Sequence, residues 1–170
     1  MKEKLKIYIK DNYIKENNKL SLFGKNKKAK SIIYDEEFAE STSNVGSSAI
    51  NNYINNNLDN KNFKDLLFNY IDSKNMKDSD VYNKVNIDRR LFSKIKCNDN
   101  YKPSKDTVIL LSLSLELNIN ELDTLLNSAN YSLSNNNISD LIIKFCFINH
   151  IYNINTINEY LYDYNCKTLN

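Results

Sequence analysis

Between Met76 and Lys105 the apolar residues fall into two sets at helical spacing, separated by only a few residues. Val81 and Val85 are four apart and share one helix face, while Phe92 and Ile95 are three apart and share another. The four residues Val85-Asn86-Ile87-Asp88 lie between the sets and read as a turn. Asn86 is the residue there that best tolerates left-handed backbone angles. Asp88 can cap a helix beginning at Arg89, because its carboxylate accepts backbone N–H groups that have no partner within the helix. The stretch therefore predicts two short helices packed across a tight turn. With its apolar set turned inward, Arg89, Arg90, Ser93, Lys94 and Cys97 face outward near the start of the second helix.

The remaining chain supplies what such a pair would pack against. Residues 61–76 place Phe63, Leu66, Leu67, Tyr70 and Ile71 on one stripe, an amphipathic helix. Residues 104–117 are apolar at nearly every other position, which implies a helix buried on most sides, with Ser104 as its cap. The alternation from Leu111 to Leu117 also fits a strand, the less favoured reading. Residues 120–129 predict a helix capped by Asn120, with Asp123 at its third position and Leu122, Leu125 and Leu126 buried. Two further helices follow, Ile138 to Ile148 and Asn155 to Tyr164, and either complete the core or supply a dimer surface. His150 lies between them as a loop or packing residue. Only two glycines and one proline occur in 170 residues, which disfavours a turn-rich β fold. The expected class is all-α.

The first 60 residues read differently, as a largely flexible N-terminal tail before a domain at 61–130 and a helical extension at 131–170. Within the tail, residues 1–16 set Leu5, Tyr8, Ile9 and Tyr13 at helical spacing with lysines opposite. Such a helix is marginal alone, so docking on its own protein is favoured over service as a basic peptide for a protein partner. Residues 17–60 have linker composition. A basic patch from Lys25 to Lys30 precedes acidic Asp35-Glu36-Glu37 and the hydroxyl-rich run Ser41 to Ser48. Ile50, Tyr53, Ile54 and Leu58 could form one weak helix.

Taken together, Phe63 to Met76, Asp78 to Val85 and Asp88 to Lys96 resemble the first three helices of lambda-repressor-like (XRE/Cro-type) helix-turn-helix proteins. The likeness continues through the Cys97 to Pro103 loop, the Ser104-Lys105-Asp106-Thr107 helix start and the segment Leu115 to Leu122. It covers roughly Asn62 to Asn165 and is narrowest toward small Firmicutes-type proteins that carry an extra helical tail. The resemblance implies a five-helix domain with two added C-terminal helices. Three positions depart from its pattern: Tyr82 replaces a small residue, Asp78 replaces a phosphate-donating Gln, and Asn86 replaces the turn glycine.

Charge agrees with a phosphate-facing surface. Residues 77–106 carry eight Lys or Arg against five acids and residues 1–34 ten Lys against three acids, whereas residues 107–170 carry two against six. The resemblance then implies sequence-specific binding to double-stranded DNA as a dimer. Arg89 and Arg90 would reach base edges, Ser93 and Lys94 would lie further along the groove, and Lys96, Lys102 and Lys105 would hold phosphates. The competing reading is a protein-interaction adaptor that keeps the helix-turn-helix only as a scaffold.

Enzyme chemistry is not expected, since there is no glycine-rich phosphate loop or nucleophile elbow, and a single histidine leaves little for a triad or metal site. No cofactor is expected. Three cysteines without close pairing suit a reducing, cytoplasmic setting. No membrane span is expected, and no apolar stretch follows Met1-Lys2-Glu3-Lys4 to suggest a secretory signal. Asn, Lys, Ile and Tyr have AT-rich codons, so their abundance points toward a low-GC bacterial source and the Asn runs carry no expected role.

Overall fold

The computed structural model describes residues 1–14, 50–52 and 62–169. The helices lie at Lys2–Asn12 (α1), Phe63–Ser73 (α2), Asp78–Lys84 (α3), Arg89–Cys97 (α4), Lys105–Ser114 (α5), Ile119–Ser128 (α6), Ile138–Ile148 (α7) and Ile154–Asp163 (α8), and no strand occurs among the described residues. The protein is all-α. Two compact units divide it: Met1–Lys15 with Lys61–Asn170, and Glu16–Asn60. In the second only Ile50–Asn52 is described, a helical stretch with exposed side chains. The linker, its charged and hydroxyl-rich patches, and the weak helix through Tyr53, Ile54 and Leu58 fall mostly or wholly outside the described residues.

Asparagine does much of the local work. Asn62, Asn118, Asn137 and Asn153 cap α2, α6, α7 and α8 through their side chains. Asp88 and Ser104 cap α4 and α5, the former accepting from Arg90 N–H at 2.6 Å. For α6 the cap lies two residues before the expected Asn120, and it forms a reciprocal capping box with Glu121 rather than Asp123. The reason is the turn before it. Six helices end with a residue at φ between 49° and 61°: Asn75, Asn86, Glu116, Asn130, His150 and Asn165. Each is followed by an N–H that reaches back to the helix, as Ile87 does to the Tyr82 carbonyl and Leu117 to the Ser112 carbonyl. This is the Schellman ending, and asparagine fills the left-handed position that glycine usually takes. The ending at Glu116 stops α5 at Ser114 and advances the cap of α6. It also settles Leu111 to Leu117 as helix and turn.

In α5 every side chain from Thr107 to Ser114 is buried. The Ser112 hydroxyl donates to its own helix at the Val108 carbonyl, 2.8 Å away. Ser114 donates across to the Val81 carbonyl of α3 at 2.6 Å. Around α5, α3 and α6 pack directly; α6 also meets α2 and α7, and α8 covers α7.

Residues 1–60 do not act as one tail. Met1–Lys15 belongs to the same unit as α2–α8, and α1 packs along α7. Leu5 and Ile9 are buried, the Tyr8 ring meets Phe145 at 5.5 Å, and the Ile14 N–H donates to the Asn135 carbonyl at 3.1 Å. An 11-residue helix that would be marginal in water is held by these contacts. Among the described residues no helix is long and apolar enough to cross a membrane.

Candidate nucleic-acid interface

The two-helix stretch forms as its apolar spacing requires. Val81, Val85, Ile87, Phe92 and Ile95 are all buried, and Asn86 takes the left-handed turn at φ 55°. The Tyr82 ring lies against Phe92 at 5.4 Å, and Phe92 meets Phe68 of α2 at 6.0 Å. The bulky residue at position 82 thus becomes part of an aromatic seam between α2, α3 and α4.

Outward from this seam, Arg89, Arg90, Ser93, Lys94 and Cys97 are exposed on α4. Within the described residues Arg89, Arg90 and Lys94 join no ion pair. The helix is nine residues long, and an α-helix with its side chains is about 10–12 Å across, which the roughly 12 Å width of a DNA major groove admits.

The other three expected site residues are placed differently. Lys96 pairs with Asp78 at the start of α3, Nζ to Oδ2 at 2.5 Å, and its ammonium sits 5.5 Å from the Phe68 ring centre. The hydrogen bond and charge of Asp78 raise the Lys96 pKa, while both side chains of the pair stay open to solvent. Lys102 lies over the Tyr131 ring at 5.3 Å and is exposed. Lys105 turns to α7 instead: its Nζ reaches both carboxylate oxygens of Asp140, at 2.7 and 2.8 Å. Asp140 is itself buried and accepts the Ser134 N–H at 2.8 Å. Lys105 is thereby tied into the fold, because a buried carboxylate needs a charged or hydrogen-bonded partner. It lines a cleft of about 260 Å³ with Asn137, Asp140 and Lys167, separate from the outward face of α4.

A second cleft, about 320 Å³, opens between α3 and α4. Ser79, Arg89, Ser93 and Lys96 line it, with Tyr82 and Phe92 as its aromatic wall and Asp78 inside the same rim. Sequence reasoning had set Asp78 apart but not its bond to Lys96. The two are 18 residues apart and share no local periodicity.

Elsewhere, His150 occupies a left-handed turn with Nδ1 3.1 Å from the Tyr152 hydroxyl. The described residues contain no group of three or more His, Cys, Asp or Glu placed to hold a metal ion. Cys97, Cys146 and Cys166 are free thiols, and burial pushes Cys146 up to about 12. Comparison with protein-family models, with curated proteins and with solved structures gives no match to this chain.

Proposed function

We propose that the protein is a non-enzymatic, sequence-specific DNA-binding regulator of the helix-turn-helix type, with α4 as the helix that enters the major groove. The observation carrying this reading is the outward face of α4. Three cations without an ion-pair partner among the described residues, Arg89, Arg90 and Lys94, stand there within six residues, with Ser93 beside Lys94. Arginine donates bidentately to guanine O6 and N7, and a short helix held by a buried seam fixes the backbone from which it reaches. On this reading α2–α6 form a lambda-repressor-like domain, to which α1, α7 and α8 are added.

Arg89 and Arg90 read base edges, and Ser93 lies further along the groove. Backbone phosphates fall to Lys94 and Lys102, because Lys96 and Lys105 are engaged within the chain. Two phosphates per protomer give a slope near −2 for log affinity against log salt for one protomer and about −4 for a two-fold complex. A two-fold site would be read by a homodimer, for which Ile148 on α7 and Tyr162 on α8 are outward apolar residues. Free thiols suit the cytoplasm as its compartment.

One observation favours the alternative, a protein-interaction adaptor on a helix-turn-helix scaffold: Lys96 and Lys105 are both neutralised by carboxylates of the same chain. Fluorescence anisotropy against random and upstream-region duplexes, at about 50 and 200 mM salt, separates the two. The DNA reading expects salt-sensitive binding that prefers one duplex, and loss of that preference in the Arg89→Ala, Arg90→Ala double variant. An absence of binding at micromolar protein favours the adaptor.

A further inference from the structure

We infer that the cleft between α5, α7 and α8 is a peptide-binding site, filled in the free protein by the chain's own segment Cys166–Leu169, and that it takes a partner peptide with a lysine two residues before a leucine. The site is independent of the DNA-binding reading. Three observations carry it. The segment follows α8 without helix or strand, yet Leu169 is only 5% exposed and lines the cleft with Ile109, Ile143 and Leu161. Its backbone is held by a side chain: the Leu169 N–H donates to Asn158 Oδ1 at 2.9 Å, and Asn158 Nδ2 donates to the Leu169 carbonyl at 3.0 Å. One amide thus satisfies both polar groups of one residue, as a neighbouring strand would. Lys167 adds an ion pair with Asp106 at 3.0 Å and Leu169 the apolar anchor, so these two alternate positions set the preference. Finally, the segment does not fill the cleft. About 260 Å³ stays open beside Lys167 and Leu169, bordered by Asn137 and Ser139, so a larger occupant gains contacts that the chain's own segment lacks.

Because the segment is joined directly to α8, its effective concentration is of order millimolar, and a partner binds only by displacing it. The probe is a synthetic peptide of residues 163–170 carrying Cys166→Ser, titrated to about 1 mM into isotope-labelled full-length protein and followed by amide NMR shifts. The Leu169→Ala protein, whose own segment has lost its anchor, should bind the peptide at least about tenfold more tightly than the parent does, with shifts centred on the Asn158 side-chain amide. Adding Asn158→Ala should remove that binding. A peptide that also carries Leu169→Ala should bind at least about tenfold more weakly. Lys167→Glu in the peptide should weaken it only about threefold, since that ion pair is open to solvent. Each variant is first checked by thermal melting, and if Leu169→Ala melts early, Leu169→Val is measured in its place.

Equal affinity in the parent and Leu169→Ala, or binding that survives Asn158→Ala, puts the peptide elsewhere and overturns the site. No binding to folded Leu169→Ala protein at about 1 mM peptide also overturns it and leaves the segment as part of the core. A parent that runs as a dimer on gel filtration, with Leu169→Ala running as a monomer, overturns the partner peptide in favour of segment exchange between two copies.

Discussion

Helices α4 and α5 are nearly the same length, nine and ten residues, and each starts from a short polar cap, Asp88 in one and Ser104 in the other. They are nevertheless opposite in character. In α5 eight successive side chains are buried and two serines satisfy their hydroxyls on carbonyls, one of them in α3. In α4 only Phe92 and Ile95 are buried, and the remaining surface is basic. The difference teaches how the molecule divides its labour. One helix is closed to solvent on all sides and fixes the positions of its neighbours. The other is anchored at two points and leaves its polar face available for a ligand.

The widest contrast lies in thiol chemistry. Cys97 ends α4 in solvent, whereas Cys146 is buried in α7 with its pKa moved from 9.0 to about 12. Burial disfavours the thiolate, so at a given pH below both values Cys146 has about a thousandth of the reactive form of an ordinary thiol, quite apart from access. Timed labelling with an alkylating reagent and mass spectrometry should modify Cys97 in the native protein and Cys146 only on unfolding. Equal labelling rates would break the distinction between surface and core.

Next in size is packing. Leu113→Ala in α5 should lower unfolding free energy by about 3 kcal/mol, through lost burial and the cavity left behind. Lys94→Ala on the outward face of α4 should change it by no more than about 0.5 kcal/mol. Urea midpoints at constant slope measure both, and a similar loss in each would show that α4 is as integral to the core as α5.

The smallest effect sharpens the comparison within the basic residues themselves. Lys105→Met removes the cation from buried Asp140, leaving only the Ser134 N–H, and should cost about 2 kcal/mol of stability. Arg90→Ala, whose side chain makes no ion pair among the described residues, should leave the melt unchanged while altering DNA preference. A stable Lys105→Met protein with weakened DNA binding would return Lys105 to the interface.

The helices of this domain were legible because they depend on near neighbours. Phe92 and Ile95, or Leu122, Leu125 and Leu126, announce a buried stripe by their spacing, and Asp88 and Ser104 announce a helix start by their chemistry. The asparagines were undervalued. Their abundance had a compositional explanation, yet eight of them cap helices or fill left-handed turns. The turn at Glu116 was hidden because glutamate is a poor marker for such a conformation, and the cap of α6 was misplaced with it. That the first helix docks on its own protein follows from its marginal length, but neither the site that receives Leu5 and Ile9 nor the Tyr8–Phe145 contact is visible in local spacing.

By itself the sequence determined an all-helical chain, the order of its main helices and an outward basic face on α4. These follow from backbone hydrogen bonding and from the burial of apolar residues three or four positions apart. Only the tertiary structure decided which of the basic residues remain free. Lys96 and Lys105 find their carboxylates 18 and 35 residues away, on other helices, where packing brings opposite charges within bonding distance.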